Sequence, residues 1–249
     1  MRKSRLNDRI ENFIEKAKSS KPPYIKKLDS RGKIDIWLVS GKYIRTNIDE
    51  EFTNFGQHYA GFKYIPKDEL WLDAEYKPNE RNFFIENLLV QHNLGEKDVP
   101  YEKQYVEGTR AERKERKLAG DVQKTIGKKG KRKIPTGEDV HDFLWKKLEN
   151  GIKVWVVKGR LVRSIFDINF TQGGHEYVYE YIPPKEVWID NDIVPSERGY
   201  VLLHELHEMN LMKKGVNYNN AHEDSSKIEY KARQNPDLLH ELLQNEGWG

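Results

Sequence analysis

The chain has 249 residues, of which 33% are charged, and its formal net charge is only +3. That length can form one large domain or two small ones, and the small net charge does not require a nucleic-acid partner. The absence of cysteine excludes disulfides and thiolate metal sites, and the absence of an apolar run of about 18 residues excludes a membrane-spanning helix.

Apolar and aromatic residues predict the elements of the first half of the chain. The N-terminal segment is basic and lacks the apolar region of a secretory signal, so we expect a cytoplasmic protein. Residues 4–18 have a helical period and predict an amphipathic helix. Two β-rich runs, 34–39 and 43–48, flank Ser40 and Gly41 and predict a hairpin, and runs 59–65 and 69–73 predict a second strand pair. Pro78 opens a helix that continues through Leu89, and another helix covers residues 101–118.

The same order of elements returns in the second half of the chain. Arg163 matches Arg45 at an offset of 118 residues, and Trp188 matches Trp71 at an offset of 117. Further matched pairs are Trp37 and Trp155, Gly41 and Gly159, Asp73 and Asp190, Pro78 and Pro195, and Tyr101 and Tyr218. Because ordered matches of this length do not arise from composition, they indicate a duplication. We predict an α+β fold of two tandem copies, each a small antiparallel sheet followed by a helical hairpin.

A basic stretch, residues 113–133, lies between the two copies. It runs from Arg113 to Lys133 and contains Gly120, Gly127 and Gly130, which favour a flexible linker. Nucleic-acid backbones also bind such lysine-rich and arginine-rich runs, but no aromatic residue is interleaved for base stacking, so we favour a solvated linker. The predicted domains are the first copy over residues 1–118, the linker over 119–134 and the second copy over 135–249. A capped helix over residues 136–148 is predicted to open the second copy.

Residues 204–208 of the second copy read His-Glu-Leu-His-Glu. On a helix, His204 and Glu208 lie one turn apart on one face, with Glu205 beside them. The pattern resembles the H-E-x-x-H helix of zincin metallopeptidases, in which two histidines hold zinc and the glutamate is the general base. The resemblance covers about one helix and departs from the motif at Glu208. It implies a zinc ion held by His204 and Glu208, with Glu205 as the base.

The first copy has neutral residues at all of these positions. Asn87 stands at the position of His204, Leu88 at that of Glu205, Gln91 at that of Glu208 and Tyr105 at that of His222. The framework residues persist while the polar chemistry is lost, which predicts a degenerate, non-catalytic first copy. An apolar residue at the position of Glu205 indicates that this position faces the interior, where a carboxylate without a partner is costly.

The third ligand follows from the geometry of the predicted helical hairpin. Gly215 is a plausible helix end and Asn217 a plausible cap for the next helix, so the two helices are antiparallel neighbours. Glu208 is seven residues before Gly215 and His222 is seven after it. We therefore predict a zinc site of His204, Glu208 and His222, with water in the open fourth position.

Such a site predicts a zinc-dependent hydrolase, most plausibly of a peptide or protein substrate or another amide. Zinc lowers the pKa of bound water toward about 7, and Glu205 would take the proton and pass it to the leaving group. His175, after a pair of glycines, is a candidate electrophile or substrate contact. Its counterpart is His58 in the copy without a site, which argues instead for a structural role.

A non-enzymatic protein is the competing hypothesis. A metal-stabilised structural or binding protein, for instance a viral or mobile-element accessory factor, would use the two related units as surfaces. It would contact nucleic acid through the basic linker. The degenerate first copy and the lack of a recognisable substrate-pocket signature favour this alternative.

Overall fold

The computed structural model describes residues 21–126 and 135–249. The predicted helix over residues 4–18 and the last part of the predicted linker lie outside the described residues. Two compact units are present, one up to Ala111 and one from Glu112 onward. In each unit a four-stranded sheet is followed by helices. The predicted α+β fold of two tandem sheet-and-helix units is therefore confirmed.

The first unit begins with strands and continues into helices. Its elements are β1 (Tyr24–Arg31), β2 (Ile34–Val39), α1 (Gly41–Asn47), β3 (Gly56–His58), β4 (Glu69–Asp73), a 3-10 turn (Pro78–Glu80), α2 (Arg81–Gly95) and α3 (Tyr101–Ala119). The boundary between the units falls within α3.

The second unit repeats this order and adds a short C-terminal helix that the sequence pattern did not predict. Its elements are α4 (Asp121–Ile126), a 3-10 turn (Gly137–Asp139), β5 (His141–Lys147), β6 (Lys153–Val157), α5 (Gly159–Ile165), β7 (Gly173–His175), β8 (Glu186–Asp190), α6 (Arg198–Lys213), α7 (Tyr218–Gln234), a 3-10 turn (Pro236–Leu238) and α8 (Leu239–Asn245).

Both sheets have the same topology. The strand orders are β1-β2-β4-β3 and β5-β6-β8-β7. The two central strands are parallel and each outer strand is antiparallel to its neighbour. The prediction that each sheet is antiparallel is wrong for the central strand pair. After β2 or β6 the chain passes through a short helix and the edge strand β3 or β7, and it then turns back into the central strand β4 or β8. The buried residues of β4 and β8 run along the full strand, as expected for strands covered on both faces.

Three local predictions of strand or helix are also wrong. Residues 43–47 lie in α1 instead of a hairpin strand, and Ile48 is the C-cap of this helix. The Ser40 side chain caps its first turn. Residues 59–65 form turns, and the strand antiparallel to β4 is the shorter β3. Residues 141–147 form strand β5 instead of a helix. Register shifts at His141/Phe143 and Leu144/Lys146 break the period of two in β5, so its apolar spacing resembled that of a helix.

A buried arginine–aspartate pair joins the short helix to the central strand in each unit. Arg45 Nη1 lies 2.6 Å from Asp73 Oδ2, and Arg163 Nη1 lies 2.5 Å from Asp190 Oδ2. A Cβ atom added to Gly159 would lie 1.9 Å from Asp190 Oδ1, so only glycine fits there. The matched glycine, arginine and aspartate of the repeat are thus one structural device.

The helical hairpin that ends the second unit is positioned as the sequence predicts. Gly215 has a φ of +89° just after α6, and the Asn217 side chain accepts a hydrogen bond from the Asn220 backbone N–H at 3.1 Å. The pair α6 and α7 then packs side by side, and α6 also contacts β7 and β8. Among the described residues, no helix is both long and apolar enough to cross a membrane.

The first part of the predicted linker is helical. Gly120 has a φ of +70° between α3 and α4, and Arg160 Nη2 lies 2.6 Å from Asp121 Oδ2 in α4. This ion pair attaches α4 to the second unit.

Candidate metal centre

Three nitrogen and oxygen atoms converge between α6 and α7. His204 Nε2 lies 3.1 Å from His222 Nδ1 and 3.5 Å from Glu208 Oε2, and His222 Nδ1 lies 2.8 Å from the same Glu208 oxygen. Donor atoms at about 2.0 to 2.2 Å from a tetrahedral zinc ion lie about 3.3 to 3.6 Å apart. The triangle is therefore close enough to bind a metal ion after shifts of a few tenths of an ångström.

The centre is buried on the sheet side and open on the α7 side. The Glu208 side chain is 4% exposed, whereas that of His222 is 38% exposed. Tyr218, one turn before His222, stacks on its ring at a centroid distance of 5.4 Å and is itself exposed. A small molecule or a chain segment can therefore approach from the side of His222.

Glu229 fixes the orientation of the His204 ring. Its Oε2 atom lies 3.0 Å from His204 Nδ1, so a proton on Nδ1 is donated to the carboxylate. In the neutral ring this leaves a lone pair on Nε2, the atom that faces His222 and Glu208. A histidine that ligates a metal through one nitrogen and donates to a carboxylate from the other is a recurrent arrangement.

Arg233 holds Glu229 in turn. Its Nε atom donates to Glu229 Oε1 at 2.9 Å, and its Nη1 atom donates to Glu197 Oε2 at 2.7 Å. The three side chains are at most 12% exposed. Glu197 therefore shares Arg233 with Glu229.

His175 supports Glu208 from the sheet. It is fully buried on β7, and its Nε2 atom lies 3.0 Å from Glu208 Oε1. Its Nδ1 atom accepts the backbone N–H of Tyr177 at 3.3 Å. Because Nδ1 is an acceptor, the proton of the neutral ring lies on Nε2 and is donated to Glu208.

A second group of possible ligands overlaps the first. His175, Glu205 and Glu208 each place one donor atom within 4.8 Å of the other two. His175 is fully buried behind Glu208, whereas His222 of the first group is 38% exposed and can be reached by a metal ion from solvent. We therefore assign the centre to the first group.

Glu205 lies beside the centre and makes no hydrogen bond to any described residue. A Cβ atom added to Gly173 would lie 2.9 Å from its Oε1 atom, so the carboxylate packs against the backbone of β7. Burial raises the pKa of Glu205 to about 8, with His204 opposing this shift and Glu208 adding to it. Its position next to the triangle matches that of a proton acceptor.

The pKa values of the other members follow from their partners. Burial lowers the pKa of His204, but hydrogen bonds to Glu208 and Glu229 outweigh it and raise the pKa to about 10. Burial raises the pKa of Glu208, but hydrogen bonds from His175, His204 and His222 bring it well below the ordinary value. Without metal the centre is thus an ion-paired cluster, from which a metal must displace a proton.

The first unit preserves the scaffold of this centre without its charges. His58 Nε2 lies 3.3 Å from Gln91 Oε1, as His175 lies from Glu208, and Gln91 donates to Asn87 at 2.6 Å. Leu88 packs against Gly56 as Glu205 packs against Gly173. The same backbone therefore holds either an amide pair or a histidine–carboxylate cluster.

The structure brings together four of the five predicted site residues at one point and places the fifth behind them. His204, Glu208 and His222 form the triangle, Glu205 lies beside it, and His175 contacts Glu208 from the interior. Their predicted roles as ligands and base stay predictions. Glu229 was not among the predicted site residues, although it lies seven residues after His222 and thus on the same helix face.

Comparison with known proteins adds no relationship: no protein-family model matches the chain, and no similar curated protein or solved structure is found.

Proposed function

We propose that the second unit binds a zinc ion through His204, Glu208 and His222 and hydrolyses a peptide or another amide. The observation that carries this proposal is the convergence of His204 Nε2, His222 Nδ1 and Glu208 Oε2 within 3.5 Å of one another, with His204 oriented by Glu229. Two histidines and one glutamate are a donor set that suits a catalytic zinc site with one open position.

The zinc ion would polarise a carbonyl group and lower the pKa of a water molecule. The oxygen of that water forms a bond to the carbonyl carbon while Glu205 accepts one of the water protons. The carbon–nitrogen bond then breaks, and Glu205 returns the proton to the leaving nitrogen. The raised pKa of Glu205 suits a group that both accepts and returns a proton near neutral pH.

The open side of the centre supports access by a substrate. His222 is the most exposed of the three ligand residues, and Tyr218 extends the accessible surface next to it. Glu208 and His175, by contrast, are buried and hold the site in place. Substrate therefore approaches from the side of α7.

A structural metal is the second candidate function. The same side chains connect α6 to α7 through Glu208 and His222, and α6 to β7 through Glu208 and His175. A metal at this point would cross-link the elements and stabilise the unit without turnover. In that case the protein would be a metal-stabilised binding protein.

The test combines metal content with turnover. The purified chain is analysed for zinc and assayed with an unstructured protein substrate, before and after removal of metal by a chelator. Zinc that is bound and required for cleavage supports a hydrolase. Zinc that raises the unfolding temperature of a protein without cleavage supports the structural candidate, and absence of bound zinc contradicts both.

A further inference from the structure

A cavity of about 250 Å³ lies in the first unit, at the helical hairpin of α2 and α3. The corresponding hairpin of the second unit, α6 and α7, carries the metal centre. It is lined by residues of the loop after β3 and by the facing sides of α2 and α3, among them Tyr59, Lys63, Lys67, His92, Gly95 and Gln104. No part of the proposed hydrolytic centre contributes to it.

The corresponding positions of the second unit are filled with apolar side chains. Met209 stands at the position of His92, Met212 at that of Gly95 and Ala221 at that of Gln104. Met209 and Ala221 are buried. The first unit has Gly95 where the second has a methionine, so it lacks a long side chain at this position. It has His92 and Gln104 where the second has Met209 and Ala221, so its wall is polar.

Two buried polar atoms of this wall have no hydrogen-bond partner among the described residues. His92 Nε2 donates to the Lys67 carbonyl at 2.8 Å, so Nδ1 of the neutral ring is an acceptor, and it is unsatisfied. Gln104 Nε2 donates to the Val99 carbonyl at 2.6 Å, and its Oε1 is also unsatisfied. Both residues are only 7% exposed. Buried acceptors are costly unless a donor is supplied, so the cavity requires an O–H or N–H group.

Two ammonium groups lie at the entrance. Lys63 Nζ lies 4.4 Å and Lys67 Nζ 5.2 Å from the centre of the Tyr59 ring. Among the described residues, neither lysine has a carboxylate within ion-pair distance. Glu96, which also lines the cavity, pairs with Lys33. The second unit has Glu180 where the first has Lys63, so the positive entrance is a property of the first unit alone.

We propose that this cavity binds a small molecule that carries a phosphate or carboxylate group and at least one O–H or N–H donor. The anionic group lies between Lys63 and Lys67, and the donor reaches His92 Nδ1 or Gln104 Oε1. The first unit, which lacks the metal ligands, is then a ligand-binding unit in its own right. This inference does not depend on the proposed hydrolysis.

The test uses the full chain and four probes followed by isothermal titration calorimetry: ribose 5-phosphate, the dipeptide glycylglycine, inorganic phosphate and ribose. Ribose 5-phosphate or glycylglycine, which combine both groups, is expected to bind at least tenfold more tightly than inorganic phosphate or ribose, which have only one. Binding of neither combined probe at millimolar concentration overturns the proposal, and so does equal binding of all four.

A matched variant assigns the binding to the cavity. Gly95→Met introduces the residue that the second unit has at this position, and its Cβ would first meet the flexible end of Gln104 at 3.2 Å. It is expected to abolish binding of the combined probe while circular dichroism and zinc content stay as in the unaltered chain. Lys63→Glu, which introduces the second unit's charge, is expected to weaken binding at least tenfold. Binding that survives both substitutions contradicts the assignment.

Discussion

Glu229 Oε2 lies 3.0 Å from His204 Nδ1, and this contact determines which nitrogen of His204 faces the metal centre. The carboxylate is held by Arg233, which also binds Glu197. The hydrogen-bonded network therefore extends beyond the three ligand residues to Glu229, Arg233 and Glu197. It gives the centre a fixed histidine orientation before any metal binds.

Glu229→Gln is expected to lower zinc affinity by about 10- to 100-fold, because the amide no longer fixes the His204 tautomer as strongly. Competition with a zinc-binding dye measures the change. Glu112→Gln is the matched control, since Glu112 makes the same buried contact with Arg116 four residues later and Asn87 stands in the first copy at the position of His204. An equal loss of affinity in both variants would show that the effect is only structural.

Glu205→Gln is expected to leave one zinc bound and to lower the rate of amide hydrolysis at least about 100-fold, because the amide cannot accept the proton. The measurements are zinc content and turnover of an unstructured protein substrate. Glu205→Leu, which introduces the residue of the first unit, serves as the second variant because Leu88 fits the same backbone position. Undiminished turnover in either variant would remove Glu205 as the base.

Zinc affinity is expected to rise about tenfold per pH unit between about pH 6 and about pH 8, because zinc must displace a proton from His204, whose pKa is about 10 without metal. Dye competition at several pH values gives the slope. An affinity that does not change over this range would contradict the predicted ligand role of His204.

The stability of the metal-free protein is expected to fall as the pH rises, whereas the zinc affinity rises. The folded pKa of His204 lies above its ordinary value of 6.5, so its contribution is complete below about pH 6.5 and is lost as the pH rises through about 10. The pKa of Glu205 is raised from 4.5 to about 8, so its protonated form stabilises the fold at low pH and this contribution is lost as the pH rises from about 4.5 to about 8. Urea unfolding in the presence of a chelator should therefore show lower stability at about pH 9 than at about pH 6.

Arg163→Ala is expected to cost about 3 to 5 kcal/mol of unfolding free energy, because it leaves Asp190 buried without its cation. Urea unfolding followed by circular dichroism measures the loss. Arg160→Ala is the control, since its pair with Asp121 is partly exposed and should contribute about 0 to 1 kcal/mol. Equal effects of the two substitutions would contradict a special role for the buried pair.

The duplication made much of the fold predictable from the sequence. Arg45 and Arg163, which match in the repeat, each bind a buried aspartate of their own unit. The spacing of the matched residues therefore carried structural information. The direction of the strands could not be read from the same pattern. Whether β4 runs parallel or antiparallel to β2 depends on the two elements between them, α1 and β3. The residues of α1 have β propensity, so the sequence did not predict this helix.

The candidate site was predictable to the extent that helix geometry determines it. The one-turn spacing of His204 and Glu208 and the symmetric placement of His222 about Gly215 were sufficient to bring the three together. The inward contact of His175 was not predictable, because it depends on the position of β7 behind α6. The role of Glu229 was not recognised because an i,i+4 glutamate–arginine pair on a helix is commonly a surface feature.

The most direct test of the proposed centre is X-ray diffraction from crystals of the zinc-loaded protein, recorded at the zinc absorption edge. We predict one anomalous peak per chain, about 2.0 to 2.2 Å from His204 Nε2, His222 Nδ1 and a Glu208 carboxylate oxygen. Glu208→Gln, which introduces the residue of the first unit, should remove the peak. A zinc-loaded crystal with no peak between α6 and α7, or with a peak that does not contact these three atoms, would contradict the account.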